Sequence, residues 1–176
     1  DFPTGGIIQG RQGIKDAFET GRGRIVIRSK TEIEVNDSGR ETIVVTEIPY
    51  MVNKREMIEK IAEMVESKKI EGIAYINDET TMKGVRIVIR LKKDANSNVV
   101  LNTLFKYTPL QSSFSVNNVA LVNGRPRTLN LKDLIKYFVK HRHEVILRRT
   151  KFDLDKAQKR AHILEGLLKA LDVIDE

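Results

Sequence analysis

Apolar and polar residues alternate strictly in two stretches of the chain. In residues 24–35 the apolar positions of one parity are Ile25, Ile27, Ile33 and Val35. In residues 85–92 the outward positions are Arg86, Arg90 and Lys92. Because successive side chains of a strand point to opposite faces, each stretch predicts a strand with one buried face. The outward face of the first strand would carry a row of cations.

Other stretches predict a returning strand and two helices. Residues 41–48 include Ile43, Val44, Val45 and Ile48 and follow the turn sequence NDSG at 36–39, so they predict the hairpin partner of residues 24–35. Asn53 precedes one run of apolar residues with helical spacing, and either Asn96 or Ser97 begins another. Such positions are typical of helix N-caps, because the asparagine side chain accepts hydrogen bonds from the first free backbone N–H groups.

The rest of the sequence predicts further helices, strands and turns, and together these elements indicate the fold class. Residues 13–18 predict a short helix, residues 70–76 and 112–122 predict strands, and the Asn-Gly pair at 123–124 predicts a hairpin turn. This order of elements predicts an α+β two-layer sandwich with helices on one face of a mostly antiparallel sheet. Residues 131–165 contain neither Gly nor Pro, so they predict a long projecting helix of the coiled-coil type.

Three segments follow from this pattern. Residues 1–23 form a Gly-rich lead-in, residues 24–129 form the α+β domain, and residues 130–176 form the long helix. A helix of about 40 residues is about 60 Å long and cannot bury itself within a domain of this size. We therefore expect it to project and to pack against a partner helix. The chain has no initiator Met and is interpreted as a piece of a longer protein.

Charge is distributed unevenly along the 176 residues, whose formal net charge is +7. Residues 11–30 contain six Lys or Arg against two Asp or Glu, whereas residues 31–80 contain six against twelve. Such alternation predicts a basic face with an acidic side turned away, and a basic face commonly meets nucleic acid. The alternative is a merely solvated surface. There is no cysteine, which excludes disulfides, and no apolar run long enough to cross a membrane.

The sequence offers no self-contained catalytic or metal site. It has no phosphate-binding loop of the Walker type, and no arrangement of Ser, His and Asp for nucleophilic catalysis. His141 and His143 are two residues apart on the predicted helix, so they point in different directions and cannot share a metal ion. Asp78 and Glu79 are better explained as polar loop residues than as Mg²⁺ ligands. These observations predict a binding and structural segment.

Several long phrases of the sequence closely resemble the A subunits of bacterial type II topoisomerases. They are DFPTGGIIQGRQGIKDAFETGRGRIVIRSK, EIPYMVNKREMIEKIAEMV, IEGI and RAHILEGLLKAL. The resemblance covers essentially the whole chain and is strongest to DNA gyrase, with topoisomerase IV a close second. The phrase NLKDLIKYFVKHRHEVILRRT favours gyrase. In that family the segment forms the tower domain, corresponding to residues 24–129, and the first arm of the coiled coil that leads to the exit gate.

The resemblance implies a role in ATP-dependent passage of one DNA duplex through a double-strand break in another. The family's catalytic tyrosine follows an arginine, and no Arg-Tyr pair occurs in this chain. We therefore expect these residues to be inactive alone. ATP and Mg²⁺ would bind through the B subunit, so no cofactor is expected here. The implied partners are double-stranded DNA, the B subunit in an A2B2 complex, and a second copy of the whole A subunit. The implied location is the bacterial cytoplasm at the nucleoid, away from membranes.

Family tower domains hold the arms of the cleaved DNA, and this implies a role for the basic residues. The candidate phosphate ligands are Arg24, Arg28 and Lys30 on one strand face, Arg11 and Arg22 in the Gly-rich approach, and Arg86 and Arg90 as a second row. Phosphate contacts require charge and reach, and carry no base-sequence information. Two alternatives remain open. Arg28 and Lys30 could pair with glutamates of the next strand, or the segment could be mainly a structural lever and dimerisation module with no DNA contact.

Overall fold

The computed structural model describes residues 2–36 and 39–174, without the side chains of Asp172 and Ile174. This part of the chain forms four helices and nine strands. The helices are α1 (Gln12–Thr20), α2 (Lys54–Glu66), α3 (Ser97–Tyr107) and α4 (Leu131–Ile174). The strands are β1 (Ile7–Gln9), β2 (Arg22–Arg28), β3 (Lys30–Val35), β4 (Glu41–Glu47), β5 (Ile73–Asp78), β6 (Ile87–Leu91), β7 (Gln111–Asn117), β8 (Val119–Val122) and β9 (Arg125–Thr128).

The strands form three antiparallel groups. A first sheet has the order β1-β2-β7, a second sheet has the order β3-β4-β6-β5, and β8 pairs with β9. The predicted α+β class with mostly antiparallel pairing is therefore confirmed. By its internal contacts the chain divides into two compact units, Asp1–Asn118 and Val119–Glu176.

The core of the first unit lies between the second sheet and the helices α2 and α3. The fully buried side chains at its centre are Ile43, Val45, Met57, Ile61, Ile87, Ile89 and Leu104. The alternation in β6 explains why Ile87 and Ile89 face this core while Arg90 stays exposed. Burial of such side chains supplies most of the favourable free energy of folding. The apolar positions of α3 behave as the helical spacing predicts, with Val100 and Leu104 buried.

Asparagine caps begin both core helices: Asn53 as the sequence predicts, and Asn96 of the two candidates Asn96 and Ser97. The Asn53 side chain accepts hydrogen bonds from the backbone N–H groups of Arg55 at 3.0 Å and Glu56 at 3.5 Å. The Asn96 side chain does the same for Asn98 at 3.0 Å and Val99 at 3.2 Å. These bonds satisfy donors that have no partner within the first turn of a helix.

The predicted single strand over residues 24–35 is wrong. The chain leaves the first sheet after Arg28 and enters the second sheet at Lys30. Between them Ser29 is buried, and its backbone N–H donates to the carbonyl of Leu110 at 2.8 Å. Strand β3 lies at the edge of the second sheet, and its Val35 is 62% exposed. The strict alternation therefore comes from two strands in two different sheets. The hairpin of β3 and β4 forms as predicted, although Asp37 and Ser38 of its turn lie outside the described residues.

The predicted strand over residues 112–122 is also divided, into β7 in the first unit and β8 in the second. In the second unit, β8 and β9 form a hairpin whose turn residues Asn123 and Gly124 have φ of 52° and 75°. Such positive values are typical of the Asn-Gly turn that the sequence predicts. Helix α4 then runs for 44 residues, about 66 Å. No helix in the described part of the chain has the length and apolarity needed to cross a membrane.

Candidate nucleic-acid interface

One face of the first sheet is formed largely by polar and basic side chains. Strand β2 pairs with β7 in a register that places Arg22 opposite Asn117, Arg24 opposite Ser115, and Arg28 opposite Gln111. Directly opposed residues of an antiparallel pair point to the same side of the sheet. We call this surface the arginine face. Its members are Arg22, Arg24, Val26 and Arg28 of β2, Gln111, Ser113, Ser115 and Asn117 of β7, and Ile7 and Gln9 of β1.

The composition of the arginine face suits a polyanion. None of the three strands contains an aspartate or a glutamate. Hydroxyl and amide side chains such as Ser113, Ser115 and Asn117 are common partners of phosphate oxygens, alongside arginine. Sequence reasoning missed these three residues. Their signal was the alternation within QSSFSVN, which places them on the opposite side of the strand from Phe114 and Val116.

Arg22 and Arg24 are the freest cations of this surface. Both side chains are exposed. Among the described residues, the ion pairs and side-chain hydrogen bonds of the protein include neither guanidinium group. An arginine has five N–H donors and is always charged. Two such groups, two residues apart on one strand, can therefore contact successive phosphates without first breaking a bond within the protein.

Helix α1 covers the opposite side of β2 and holds the strand in place. A Cβ atom at Gly13 would collide with the backbone carbonyl of Arg24, and one at Gly23 would collide with the carbonyl of Gly13. The absence of both side chains lets the helix and the strand come into backbone contact. This contact makes the support of Arg22 and Arg24 rigid, because the strand beneath them cannot shift towards the helix.

Arg11 lies at the same end of the first sheet as Arg24. Strand β1 runs antiparallel to β2 and pairs Gln9 with Val26, so the chain that follows β1 continues towards Arg24. Arg11 then occupies the N-cap position of α1, where its exposed side chain makes no capping hydrogen bond. The acidic residues of α1 already have partners, Asp16 with Gln12 at 2.7 Å and Glu19 with Lys15 at 3.9 Å.

Arg28 is half-buried and held by two neighbours. Its Nε donates a hydrogen bond to the Oε1 atom of Gln111 at 2.6 Å. Its guanidinium carbon lies 4.8 Å from the centre of the Phe105 ring, within the range of a cation–π interaction. No glutamate of the neighbouring strand pairs with it among the described residues, in contrast to the alternative considered for this residue.

Lys30 does not share the face of Arg24 and Arg28, which corrects the predicted row of three. It belongs to the second sheet, and its Nζ lies 3.6 Å from Oε1 of Glu47. For Lys30 the alternative of pairing with a glutamate of the next strand is therefore confirmed. Glu47 also accepts a hydrogen bond from the backbone N–H of Gly6 at 2.6 Å. That bond and, to a lesser extent, the charge of Lys30 lower the pKa of Glu47 below its ordinary value.

The two arginines of the second row differ in their surroundings. Arg86 pairs with Glu34 at 3.2 Å and with Glu79 at 3.3 Å, and the hydrogen bond to Glu34 is the main cause of its raised pKa. Arg90 is exposed, and its guanidinium carbon lies 5.2 Å from the centre of the Tyr75 ring. Arg86 is thus engaged with carboxylates, whereas Arg90 presents its donors to solvent beside an aromatic surface.

The described residues contain no cluster of three or more His, Cys, Asp or Glu that could hold a metal ion. Asp78, considered above as a Mg²⁺ ligand, pairs with Lys54 at 2.7 Å. The hydrogen bond from Lys54 is the main cause of the lowered pKa of this carboxyl group, and a hydrogen bond from Thr80 lowers the pKa further. Asp78 is therefore engaged in an ion pair with an adjacent hydrogen bond.

Comparison with known proteins gives a consistent result. The family of DNA gyrase and topoisomerase IV A subunits matches residues 1–176. The chain is 56% identical over 176 residues to the DNA gyrase A subunit of Clostridium acetobutylicum, covering all of this chain and 21% of that protein. It is 58% identical over 177 residues to the DNA gyrase A subunits of Staphylococcus epidermidis and Staphylococcus aureus, covering 20% of each. The chain thus spans about a fifth of the length of these relatives.

Proposed function

Because the chain belongs to the family of DNA gyrase and topoisomerase IV A subunits, we propose that its arginine face binds the arms of the DNA segment cleaved by the whole enzyme. The observation that carries this proposal is the exposed pair Arg22 and Arg24. They stand on a surface of three strands without a single carboxylate, and no ion pair among the described residues engages them. A surface of this kind attracts the phosphate backbone and repels no part of it.

The arginine face would position DNA without reading its sequence. Its ligands are guanidinium, hydroxyl and amide groups on a sheet, which suit contacts with phosphate oxygens rather than insertion into a groove. Contacts along an arm on each side of a cleavage point also favour a bent duplex, because bending is repaid by the additional contacts that it permits. Arg11 would extend this surface at one end of the sheet, and Arg28 would extend it at the other.

The chemical step would take place elsewhere in the whole enzyme. No Arg-Tyr pair occurs in this chain, so we place the nucleophilic tyrosine outside these residues and expect no cleavage by them alone. We place ATP and Mg²⁺ with the B subunit in an A2B2 complex, and dimerisation at the far end of the coiled coil. The corresponding location is the bacterial cytoplasm, at the nucleoid. In this assembly the present residues contribute DNA binding and geometry to double-strand passage and supercoiling.

The experiment measures duplex binding by the 176-residue chain over a range of salt concentrations. The test variant is Arg22→Ala with Arg24→Ala. The matched control is Arg55→Ala with Lys60→Ala on α2, which also removes two positive charges from the net +7. Both control residues are paired with glutamates of their own helix. Each phosphate contact contributes roughly 0.9 to the slope of log affinity against log salt.

We expect the test variant to bind more weakly and to flatten that slope by about 1.8. The control should change the slope far less, since both of its charges are already paired with glutamates. The loss should be equal for duplexes of unrelated sequence. Equal slopes for the test variant and the unmodified chain would contradict DNA binding by this face. An equal loss in test and control would indicate a general effect of net charge.

The alternative is that the chain is a mainly structural lever and dimerisation module of a topoisomerase IV A subunit, with no direct DNA contact. Helix α4 favours it, because apolar side chains stay exposed along its length. They include Phe138 at 64%, Phe152 at 67% and Leu168 at 63%. A helix of this kind acquires stability by packing against another helix. Indifference of the chain to duplex DNA at low salt would favour this role.

A further inference from the structure

The arginine face contains one arginine that the protein itself holds in a fixed orientation. Arg28 donates from Nε to Gln111 at 2.6 Å, and these two residues are direct cross-strand partners. The Phe105 ring of α3 lies under the guanidinium group at 4.8 Å. The hydrogen bond holds the guanidinium at Nε and the cation–π contact holds it beside the Phe105 ring, so rotation about the side-chain bonds is restricted.

The remaining donors of Arg28 have no acceptor in the described part of the protein. Nε accounts for one of the five N–H groups, and the other four belong to the two terminal nitrogen atoms. No hydrogen bond or ion pair of the described residues uses them. The bond at Nε leaves both terminal nitrogen atoms, which lie side by side, free to donate to an acceptor outside the protein. A bidentate arrangement of this kind matches two oxygens of one phosphate.

We propose that Gln111 and Phe105 are positioning residues that orient Arg28 for a bidentate contact with a DNA phosphate. This proposal rests on the proposed function of the arginine face. Arg22 and Arg24 must lose side-chain freedom when they bind DNA, whereas Arg28 has already lost it on folding. Gln111 therefore acts on DNA binding through Arg28, without adding a charge of its own.

The experiment is a double-mutant cycle on duplex binding by the 176-residue chain, at several salt concentrations. The variants are Gln111→Ala, Arg28→Ala, Arg28→Lys and the combinations of each with Gln111→Ala. Gln158→Ala serves as the glutamine-to-alanine control, because Gln158 is exposed on α4, in the second unit. Thermal unfolding of each variant checks that the chain remains folded.

We expect Gln111→Ala to weaken binding by about two- to tenfold, the cost of ordering one long side chain, with little change in the salt slope. Arg28→Ala should flatten the slope by about 0.9. Gln111→Ala should then have no further effect in the Arg28→Ala or Arg28→Lys chain, since alanine has no charge to orient and the lysine ammonium lacks the planar pair of donors that orientation would serve. Phe105→Leu should behave like Gln111→Ala if it stays folded.

Two outcomes separate this inference from the function on which it rests. If Gln111→Ala weakens binding equally whether or not Arg28 is present, Gln111 acts on its own and the positioning role is wrong. If Arg22→Ala with Arg24→Ala leaves binding intact, the arginine face does not hold DNA and the proposed function is wrong. Weak binding by the Arg22 and Arg24 variant, with no coupling between Gln111 and Arg28, would overturn the positioning role alone.

Discussion

The side-chain carboxylate of Glu47 accepts a hydrogen bond from the backbone N–H of Gly6 at 2.6 Å, across 41 residues of chain. Gly5 and Gly6 both have positive φ, 72° and 89°, and a Cβ atom at Gly5 would collide with the Glu47 carboxylate. The bond ties the lead-in before β1 to the end of β4, and so links the two sheets of the first unit.

An aromatic cluster strengthens the same connection. Phe2 of the lead-in lies 5.3 Å from Phe114 of β7 and 5.5 Å from Tyr50, measured between ring centres. Tyr50 and Phe114 are 5.7 Å apart in an edge-to-face arrangement. Such pairs add to the energy of area burial. The position of the first sheet, and hence of the arginine face, therefore depends on the lead-in segment.

The Glu47 bond predicts a pH dependence of stability. The Gly6 N–H, together with the charge of Lys30, lowers the pKa of Glu47, although burial acts in the opposite direction. A carboxyl with a lowered pKa stabilises the fold above its unfolded pKa, near 4.5, and this contribution disappears as the pH falls through the folded pKa. Glu47→Gln should therefore unfold more easily than the unmodified chain at pH 7, as measured by urea titration.

The difference should vanish in acid, where Glu47 is protonated in both the folded and the unfolded chain. Glu32→Gln is the control, since Glu32 is exposed on β3 and takes part in no ion pair among the described residues. A stability difference between Glu47→Gln and the unmodified chain that persists unchanged at pH 3 would show that the charge of Glu47 is not the cause.

The contact between α1 and β2 predicts the effect of a single methyl group. Gly13→Ala should destabilise the first unit by about 1–3 kcal/mol, because the new Cβ meets the backbone of Arg24 and neither element can yield. Gly166→Ala is the control, and its expected effect on stability has the opposite sign. Nothing lies within 4 Å of a Cβ there, so α4 should gain about 1 kcal/mol of helix stability. Chemical denaturation followed by circular dichroism measures both, and an unchanged midpoint for Gly13→Ala would refute the close contact.

The ion pairs of the structure predict which arginine substitution changes the salt dependence of duplex binding more. Arg24→Ala should flatten the salt slope of duplex binding by about 0.9, because that guanidinium is free of protein partners in the described residues. Arg86→Ala should change the slope by less than half as much, since Glu34 and Glu79 already neutralise its charge. Binding measured at several salt concentrations gives both slopes. A larger effect for Arg86 would place the main contact on the second sheet instead.

Helix α4 predicts weak self-association of the 176-residue chain. Leu164, Leu168 and Leu171 are 49%, 63% and 59% exposed, and such a stripe tends to find a partner or to fray. Sedimentation should show a concentration-dependent association in the micromolar range. Replacing Leu164 and Leu168 by Gln should abolish it and leave duplex binding by the first unit unchanged. A tight dimer at nanomolar concentration would contradict this prediction.

The sequence by itself determined the elements whose signals are local. The cap at Asn53, the Asn-Gly turn after β8 and the long helix from Leu131 form as predicted, and the cap of α3 is one of the two predicted candidates, Asn96. Each depends on residues a few positions apart, such as a side chain that accepts from N–H groups two or three residues later. The same holds for the face that Arg24 and Arg28 share, because side-chain alternation along one strand requires no partner. Arg22, expected in the Gly-rich approach, belongs to the same strand and face instead.

Only the tertiary structure decided which strands belong to one sheet and which cations are already engaged. The alternation over residues 24–35 continues through Ser29, yet the chain changes sheets there, because β2 pairs with β7 while β3 pairs with β4. The partners of Lys30 and Arg28 lie 17 and 83 residues away, at Glu47 and Gln111. Alternation reports the direction of a side chain relative to its own strand, and cannot report which distant strand lies beside it.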